Sequence, residues 1–312
     1  MNDVDWRASL ASRLPATSWR TRFAPAPTGF LHLGHLVNAM YVWGIARAYG
    51  GTVVLRIEDH DRTRCRPEYE RALLDDLDWL GFAPDVADTD SFRAQHNAHP
   101  RRQSNTPERY LHAVEQLDKR GLIYACICTR RDISERAPHD TGDEPRYPGT
   151  CAHGLADRAS TSARRARIDN AIEHFDDLQC GHISQRPAQQ CGDLLLRDRH
   201  DGFTYQFSVT VDDMQQNIDV IIRGEDLLPS TGRQRALARM LGRSEMPLVL
   251  HHPLLMRSDG TKLSKANRDT SLRERRTSGA TADALRGEAA LLCGLTTTDA
   301  PLTVNDVVSL FR

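Results

Sequence analysis

Between residues 20 and 57, the pattern of apolar and polar positions predicts a strand, a helix and a second strand. Residues 23–25 suit a short strand, and a turn follows at 27–29. Apolar residues then recur at helical spacing from position 37 to position 48, and a Gly-Gly pair at 50–51 ends the helix. The apolar run TVVLRI that follows is typical of a buried strand. This order predicts an α/β fold with a doubly wound, Rossmann-type parallel sheet, in which ligands bind beyond the carboxyl ends of the strands.

Beyond this unit, helical patterns alternate with short strands. Helices are predicted for PEYERALLDDLDWLGF, which starts at Pro67, and for YLHAVEQLDKRGLIYA, which starts at Tyr110. Short strands and turns are predicted for residues 164–196, and FTYQFSVTVDDM at 203–214 is expected to return the chain to the sheet. The predicted organisation, in chain order, is an N-terminal extension (1–19), a first half of the Rossmann domain (20–118), a zinc-containing α+β insertion (119–196), a second half of the Rossmann domain (197–258), and a lysine loop with a short helical C-terminal part (259–312).

Two short stretches carry candidate chemistry for a polyphosphate. His32 and His35 lie three residues apart where the first helix begins, and a helix N-terminus offers N–H groups and a positive dipole to an anion. Gly34 between them removes a side chain, so that a flat ring can lie on the backbone. Lys262 and Lys265, in the loop GTKLSK, are suited to close over phosphates as point charges. Each stretch alone is equally compatible with solvated surface, whereas the pair in this order is much more specific.

Charged side chains also occur at predicted strand ends. Glu58 follows the second strand and is suited to pair with an ammonium group. Arg22 and Arg223 lie at sheet edges, where a guanidinium can hold a carboxylate through two hydrogen bonds. The alternative for each residue is an exposed surface charge.

These stretches carry a family resemblance that covers roughly residues 20 to 270. PAPTGFLHLGH resembles the first signature of the class I aminoacyl-tRNA synthetases, and KLSKA resembles the second. RFAPAPTG, RIEDHDRTR, FTYQFSVTVDD and IIRGEDLL resemble the glutamyl branch. Within that branch, the short chain and RGEDLLPSTGRQ resemble the glutamyl-Q tRNA(Asp) synthetases, which lack an anticodon-binding domain.

The resemblance implies an activity and its site residues. L-glutamate would be activated by ATP, with Mg²⁺, as glutamyl-adenylate, and the glutamyl group would pass to queuosine in the anticodon loop of tRNA(Asp). The implied ATP-binding residues are His32, Gly34, His35 and Lys265, and the implied catalytic residues are His32, His35, Lys262 and Lys265. The implied glutamate-binding residues are Arg22, Phe23, Ala24, Pro25, Ala26, Glu58, Tyr205 and Arg223.

A zinc site is predicted in the insertion. Cys126 and Cys128 lie two apart and Cys151 follows a loop, and zinc takes sulfur and nitrogen ligands in a tetrahedron. The fourth ligand is then Tyr147 or a histidine, either His153 or His139. Ligand chemistry favours His153, because neutral imidazole is a common ligand and phenolate a rare one. The resemblance favours Tyr147 and one Zn²⁺ per chain. The alternative is three thiols without a metal.

Two positions depart from the family pattern. Thr106 stands where the family has an arginine, and Ala266 replaces the final serine of the lysine loop.

Three other functions are compatible with some of the same motifs. They are a truncated glutamyl-tRNA synthetase that charges a tRNA 3′ end, a nucleotidyltransferase without RNA, and a non-enzymatic paralogue. RIEDHDR and IIRGEDLL argue against the second rival, and the retained histidines and lysines argue against the third. Against the first, roughly 45 residues after the lysine loop are too few for a usual anticodon-binding domain.

Composition changes this picture little. The formal net charge is −1, so any RNA binding is expected to use local basic patches. The seven cysteines suit a reducing cytosol, and neither a signal peptide nor an apolar run of membrane-spanning length is visible. The sequence therefore predicts a cytoplasmic protein without a membrane partner, and we expect a monomer.

Overall fold

The computed structural model describes residues 6–95, 98–137, 145–154, 162–255 and 270–312. Lys262 and Lys265 of the lysine loop, Ala266 and His139 lie outside the described residues. The strands, in chain order, are Trp19–Phe23 (β1), Gly51–Leu55 (β2), Ile123–Cys126 (β3), Ala163–Ala166 (β4), Glu173–Asp177 (β5), Gly181–Gln185 (β6), Leu194–Arg197 (β7), Val220–Gly224 (β8) and Leu248–His252 (β9).

The helices include several of only one or two turns. In chain order they are Leu10–Arg13 (α1), Leu33–Ala48 (α2), Pro67–Trp79 (α3), Thr89–Gln95 (α4), Pro107–Lys119 (α5), Arg130–Arg136 (α6), Pro187–Gln190 (α7), Tyr205–Gln215 (α8), Leu228–Met240 (α9), Leu272–Thr277 (α10), Ala282–Leu292 (α11) and Val304–Ser309 (α12). None of the described helices combines the length and the apolar character that a membrane crossing requires.

Parallel strands form the centre of the fold. β1 pairs with β2, and β8 pairs with β9, both in parallel register. The N–H of Asp219, at the start of β8, donates to the carbonyl of Arg20 in β1 at 2.9 Å, so the two pairs lie side by side. The predicted α/β fold with a parallel sheet is therefore confirmed. Because these strands are parallel, their carboxyl ends meet at one edge of the sheet, where the candidate site lies.

Helix α2 is enclosed over most of its surface, and this fixes the histidine motif at its start. From Leu33 to Ala46 every residue is buried except Gly34, His35 and Asn38, which are partly exposed near the start of the helix. The ring of Phe311 lies directly against Gly44. A Cβ at this position would approach the ring carbons to 2.4 Å, so the close contact requires glycine. A helix buried all round is apolar all round, which explains why its sequence shows little amphipathic contrast.

The described part of residues 119–196, the predicted insertion, contains two kinds of sheet. β3, β4 and β7 form an antiparallel sheet of their own. The β5–β6 hairpin instead extends the central sheet, because Asp177 at the end of β5 pairs in parallel with Val249 of β9. The short strands and turns predicted for 164–196 are thus present, and one strand of the insertion reaches the central sheet.

Two features differ from the sequence prediction. The segment 203–214 was expected in the sheet, but its residues from Tyr205 onward form helix α8, which is buried along most of its length. Helix α4 lies in a stretch, 84–107, whose polar composition predicts only loop. The N-terminal extension packs on the core from residue 6 onward, because Trp6 stacks on Tyr41 and Leu10 is fully buried.

Candidate active site

The two histidines of the motif cap helix α2. The Nδ1 atom of His32 accepts the N–H of Gly34 at 3.1 Å, and the Nδ1 atom of His35 accepts the N–H of His32 at 3.2 Å. A neutral imidazole that accepts at Nδ1 carries its proton on Nε2. Both rings are therefore in the tautomer that donates from Nε2, which suits an anion at the helix N-terminus. The close approach of the His32 ring to Gly34 also leaves only 2.9 Å for a Cβ at that position.

A cavity of about 340 Å³ opens at this helix start, and we call it the helix cavity. Its wall consists of His32, Gly34, His35, Val37, Asn38, Arg223, Gly224, Asp226, Leu227, His252, Pro253, Leu254 and Leu255. Leu255 is the last described residue before the lysine loop. On the other side of that loop, the N–H of Leu272 donates to the carbonyl of Leu31 at 2.8 Å. Both described flanks of the loop therefore lie beside the histidine motif.

A second cavity, of about 370 Å³, opens at the carboxyl ends of β1 and β8, and we call it the strand cavity. Its wall consists of Arg22, Phe23, Ala24, Pro25, Ala26, His35, Asn38, Glu58, Tyr205, Arg223 and Leu227. This set contains every residue that the sequence assigns to glutamate binding. The two cavities have four wall residues in common, namely His35, Asn38, Arg223 and Leu227. Both volumes lie in the range usual for small-molecule sites.

Buried ion pairs hold the charged wall of the strand cavity. Glu58 accepts from Arg56 at 2.9 Å, and Arg56 also donates to Asp213 at 2.8 Å. Arg22 donates from Nε to the same Asp213 at 3.2 Å. Burial favours the neutral form of Asp213, but the guanidinium groups of Arg22 and Arg56 outweigh it and lower the pKa of this carboxyl. The network therefore keeps Asp213 ionised at neutral pH and fixes Arg22 and Glu58 in the wall.

Arg223 is held differently, by neutral groups only. It is 3% exposed, and its Nε, Nη1 and Nη2 atoms donate to His251 (3.0 Å), Gln234 (2.7 Å) and Thr231 (2.9 Å). Among the residues that the structure describes, no carboxylate forms an ion pair with it. Burial lowers the pKa of this guanidinium, but arginine stays protonated in proteins. Arg223 is thus a buried cation facing two cavities, and an anionic ligand would neutralise it.

Sequence reasoning missed several residues that build this wall. Asn38 lies one turn after His35 on the same face of α2, and that spacing could have revealed it. Asp212 in α8 is fully buried and accepts from Gln103 and Tyr110 at 2.8 and 2.9 Å. Gln103 and Tyr110 thus lie on either side of Thr106 in sequence and both bind Asp212. Thr106, which stands where the family has an arginine, accepts a hydrogen bond from Arg109, which also binds Asp212.

The predicted zinc residues lie together in the insertion. The sulfur atoms of Cys126, Cys128 and Cys151 all lie within 4.8 Å of one another. The hydroxyl of Tyr147 lies 3.4 Å from the Cys126 sulfur and 3.8 Å from the Cys128 sulfur. His153 is exposed to solvent and is not part of this group.

These distances suit a tetrahedral cation. Zn–S bonds of about 2.3 Å place two sulfur ligands roughly 3.8 Å apart, and the Cys128 and Cys151 sulfurs are 3.6 Å apart. Burial raises the pKa of Cys128 to about 11, so a thiolate at this position needs a nearby positive charge. Arg165 supplies part of it, because its Nε donates to the Cys126 sulfur at 3.4 Å and its guanidinium stacks on the Tyr147 ring. The donor set fits Zn²⁺.

Comparison with known proteins identifies the class first. Residues 18–298 match the family of tRNA synthetases class I (E and Q), catalytic domain. The parallel α/β fold and this match define a class I tRNA synthetase catalytic domain, and hence a ligase.

Curated relatives narrow the assignment. A glutamyl-Q tRNA(Asp) synthetase from Nitratidesulfovibrio vulgaris is 36% identical over 306 residues, covering 93% of this chain and 91% of that protein. Another, from Burkholderia cenocepacia, is 39% identical over 259 residues and covers 81% of this chain and 82% of that protein. The chain therefore belongs to the family of glutamyl-Q tRNA(Asp) synthetases.

Solved structures agree on the fold. The chain is similar to a glutamate tRNA ligase from Elizabethkingia meningosepticum, crystallised in complex with its amino acid, with a TM-score of 0.77 at 24% identity. The match covers 94% of this chain but only 65% of that one, so the chain spans about two thirds of the larger protein. A glutamate-tRNA synthetase from Elizabethkingia anophelis gives a TM-score of 0.78.

Proposed function

We propose that the chain activates L-glutamate with ATP to form glutamyl-adenylate and transfers the glutamyl group to queuosine in the anticodon loop of tRNA(Asp). The observation that carries the proposal is Arg223, a buried guanidinium with only neutral partners among the described residues, in the wall common to both cavities. A carboxylate bound there would lie next to the helix start that suits a phosphate. The names of the relatives support the choice of acceptor.

In this proposal ATP lies across the start of α2, in the helix cavity. The Nε2–H groups of His32 and His35 donate to phosphate oxygens, and Gly34 lets the nucleotide approach the backbone. Lys262 and Lys265 close over the phosphates from the loop whose flanks lie beside the motif. Mg²⁺ accompanies ATP as part of the substrate.

Glutamate occupies the strand cavity. Arg22 and Arg223 hold its carboxylates, and Glu58 pairs with its ammonium group. Tyr205 contributes a hydroxyl, and the chain at 23–26 forms the floor of the cavity. Glutamine would leave a buried arginine without its anionic partner, so glutamate is preferred by about 2 kcal/mol or more.

The chemistry needs no protein nucleophile. A carboxylate oxygen of glutamate attacks the α-phosphorus of ATP, and pyrophosphate leaves with the negative charge that the histidines and lysines stabilise. A hydroxyl of queuosine then attacks the activated carbonyl, and AMP leaves. Catalysis is therefore positioning plus stabilisation of charge on the leaving group.

We also propose one structural Zn²⁺ in the insertion, held by Cys126, Cys128, Cys151 and Tyr147. The support for Tyr147 over His153 is its hydroxyl, 3.4 Å from the Cys126 sulfur, against an exposed imidazole. Bound there, zinc would fix the loops that carry its ligands.

The function is tested in two steps. Pyrophosphate exchange with glutamate and with glutamine measures the activation step, and equal rates for both would overturn the proposed glutamate site. Transfer of labelled glutamate is then measured to three substrates, namely tRNA(Asp) with queuosine, the same tRNA without queuosine, and queuosine-containing tRNA lacking its terminal adenosine. The proposal expects label on the first and third only. Label that requires the terminal adenosine would instead identify a glutamyl-tRNA synthetase that charges the 3′ end.

A further inference from the structure

Behind Arg223 lies a buried hydrogen-bonded chain of three residues. Asp177 accepts through Oδ2 from Nδ1 of His251 at 2.6 Å, and Nε2 of His251 faces Nε of Arg223 at 3.0 Å. Asp177 and His251 are fully buried. They come from β5 and β9, while Arg223 comes from β8, so the chain runs across neighbouring strands of the central sheet.

The direction of these hydrogen bonds fixes the tautomer of His251. The Nε–H of Arg223 always donates, so Nε2 of His251 must accept with its lone pair. The proton of the neutral ring then lies on Nδ1 and is donated to Asp177. Burial lowers the pKa of His251, which keeps the ring neutral. Burial alone would raise the pKa of Asp177, but hydrogen bonds from His251 and from the backbone N–H groups of Cys180 and Gln179 lower it, which keeps the carboxylate ionised.

We propose that Asp177 and His251 are positioning residues for the amino-acid substrate, because the carboxylate of Asp177 sets the His251 tautomer that presents an acceptor to Arg223 and so aims the guanidinium into the strand cavity. The inference rests on the proposed function, in which Arg223 holds a carboxylate of glutamate. It also gives the insertion a role in the site, since β5 belongs to the insertion yet supplies the first member of the chain.

The other anchors of Arg223 show why the ring matters. Gln234 and Thr231 hold Nη1 and Nη2, while His251 alone holds Nε. Because a guanidinium is planar, the hydrogen bond at Nε helps to set the plane in which the two Nη atoms lie. In the opposite tautomer, Nε2–H of His251 would donate to Oγ1 of Thr231, 3.1 Å away, and would no longer accept from Nε of Arg223. The guanidinium would lose its acceptor at this edge and would have to turn.

Asp177→Asn imposes that opposite tautomer with almost no change in shape. Oδ1 of Asp177 accepts the backbone N–H groups of Gln179 and Cys180 at 2.9 and 2.8 Å, so the amide oxygen keeps this place. The amide NH₂ then replaces Oδ2 and donates to Nδ1 of His251, which forces the ring proton onto Nε2. We expect the KM for glutamate to rise at least tenfold in pyrophosphate exchange, with the KM for ATP unchanged.

The adjacent residue provides a matched control. Asp176 lies on the same strand with its side chain exposed, paired with His182 on the surface. Asp176→Asn makes the same chemical change one residue away and should leave both KM values as they are. Equal effects of the two substitutions would overturn the proposal.

A double-variant cycle separates this route from general damage to the fold. His251→Gln removes the ring and should itself raise the KM for glutamate. In that background Asp177→Asn should add nothing, because the influence of Asp177 on Arg223 passes through the ring. An effect of Asp177→Asn that is as large in the His251→Gln chain as in the unaltered chain would show a role independent of His251 and overturn the inference.

The tautomer can also be observed without catalysis. Nitrogen NMR of the histidine rings should show His251 protonated on Nδ1 in the unaltered chain and on Nε2 in Asp177→Asn. The same tautomer in both would overturn the inference. If the unaltered chain activates glutamate and Asp177→Asn has the same KM for glutamate, only the positioning role is overturned. If the unaltered chain does not activate glutamate at all, the proposed function itself is overturned.

Discussion

Replacing Arg223 by lysine tests the centre of the site, because the change keeps the charge and alters the number and geometry of the donors. A guanidinium has five N–H groups. Hydrogen bonds to His251, Gln234 and Thr231 use three of them, one on each nitrogen. The other two lie on Nη1 and Nη2, beside Tyr205, and a guanidinium with donors on both Nη atoms can bind a carboxylate through two hydrogen bonds.

The size of the effect follows from this count. A lysine ammonium has three N–H groups on one nitrogen, so it cannot satisfy the three anchors and also bind a carboxylate through two bonds. At least one charge-assisted hydrogen bond to the substrate is lost, at about 1.5–3 kcal/mol. The expected decrease in kcat/KM for glutamate is roughly 10- to 150-fold.

Pyrophosphate exchange at varied glutamate and saturating ATP measures this decrease. Arg47→Lys is the matched control, because Arg47 pairs with Asp85 on the surface near the far end of α2. An unchanged kcat/KM for glutamate in Arg223→Lys would refute the reasoning, since it would mean that the paired Nη donors do not hold the substrate.

Three further predictions concern the metal, the lysine loop and pH. Purified chain should contain about one zinc, which Cys126→Ser should lose and His153→Ala should keep, as elemental analysis can measure. Lys265→Ala should slow glutamyl-adenylate formation about a hundredfold in rapid-quench experiments while glutamate binding is retained, and formation at the unaltered rate would exclude a phosphate role. Burial lowers the pKa of His252 from 6.5 to about 4, because the folded chain disfavours the charged ring. Below pH 6.5 the unfolded chain binds a proton at this residue that the folded chain does not, so the free energy of unfolding decreases as the pH falls from 6.5 towards 4. Urea unfolding measures this free energy. Between pH 7 and pH 5 it should decrease by about 2 kcal/mol more in the unaltered chain than in His252→Asn.

The sequence predicts the helix start well because its signal is local. Residues 22–35 contain the end of β1, the turn and the cap of α2 within a few positions of one another, and both histidines lie at the start of the helix as predicted. The strand itself begins earlier than the predicted residues 23–25 and ends at Phe23. The class of enzyme and the family are also predicted correctly, since they depend on motifs that are visible as strings.

Helix α8 shows where a periodic pattern misleads. Phe203, Tyr205, Phe207 and Val209 alternate with polar residues, which is typical of a strand with one buried face. In the structure the polar positions are buried too, and Asp212 among them binds side chains that come from elsewhere in the chain. Partners so distant in sequence decide the conformation here, and no local pattern contains them.

The same limit applies to the support of Arg223 and to the cysteine site. His251 and Asp177 are 74 positions apart, so nothing in either neighbourhood reveals their hydrogen bond. At the cysteine site, general ligand chemistry favours His153, whereas the folded loop brings the Tyr147 hydroxyl to the sulfurs and leaves His153 exposed. Sequence identifies the candidates, and the placement of the described residues 145–154 supports Tyr147 in the proposed site.

The contact between Gly44 and Phe311 has a consequence for synthesis on the ribosome. Helix α2 carries the histidine motif, yet a residue that covers it is synthesised much later. Tyr49, just after the end of α2, donates to the carbonyl of Phe311 across 262 positions at 2.6 Å. During synthesis, the side of α2 that Phe311 covers therefore stays exposed until Phe311 has left the exit tunnel of the ribosome. Until Phe311 packs against Gly44, this side of the helix is available to chaperones that bind exposed apolar helices.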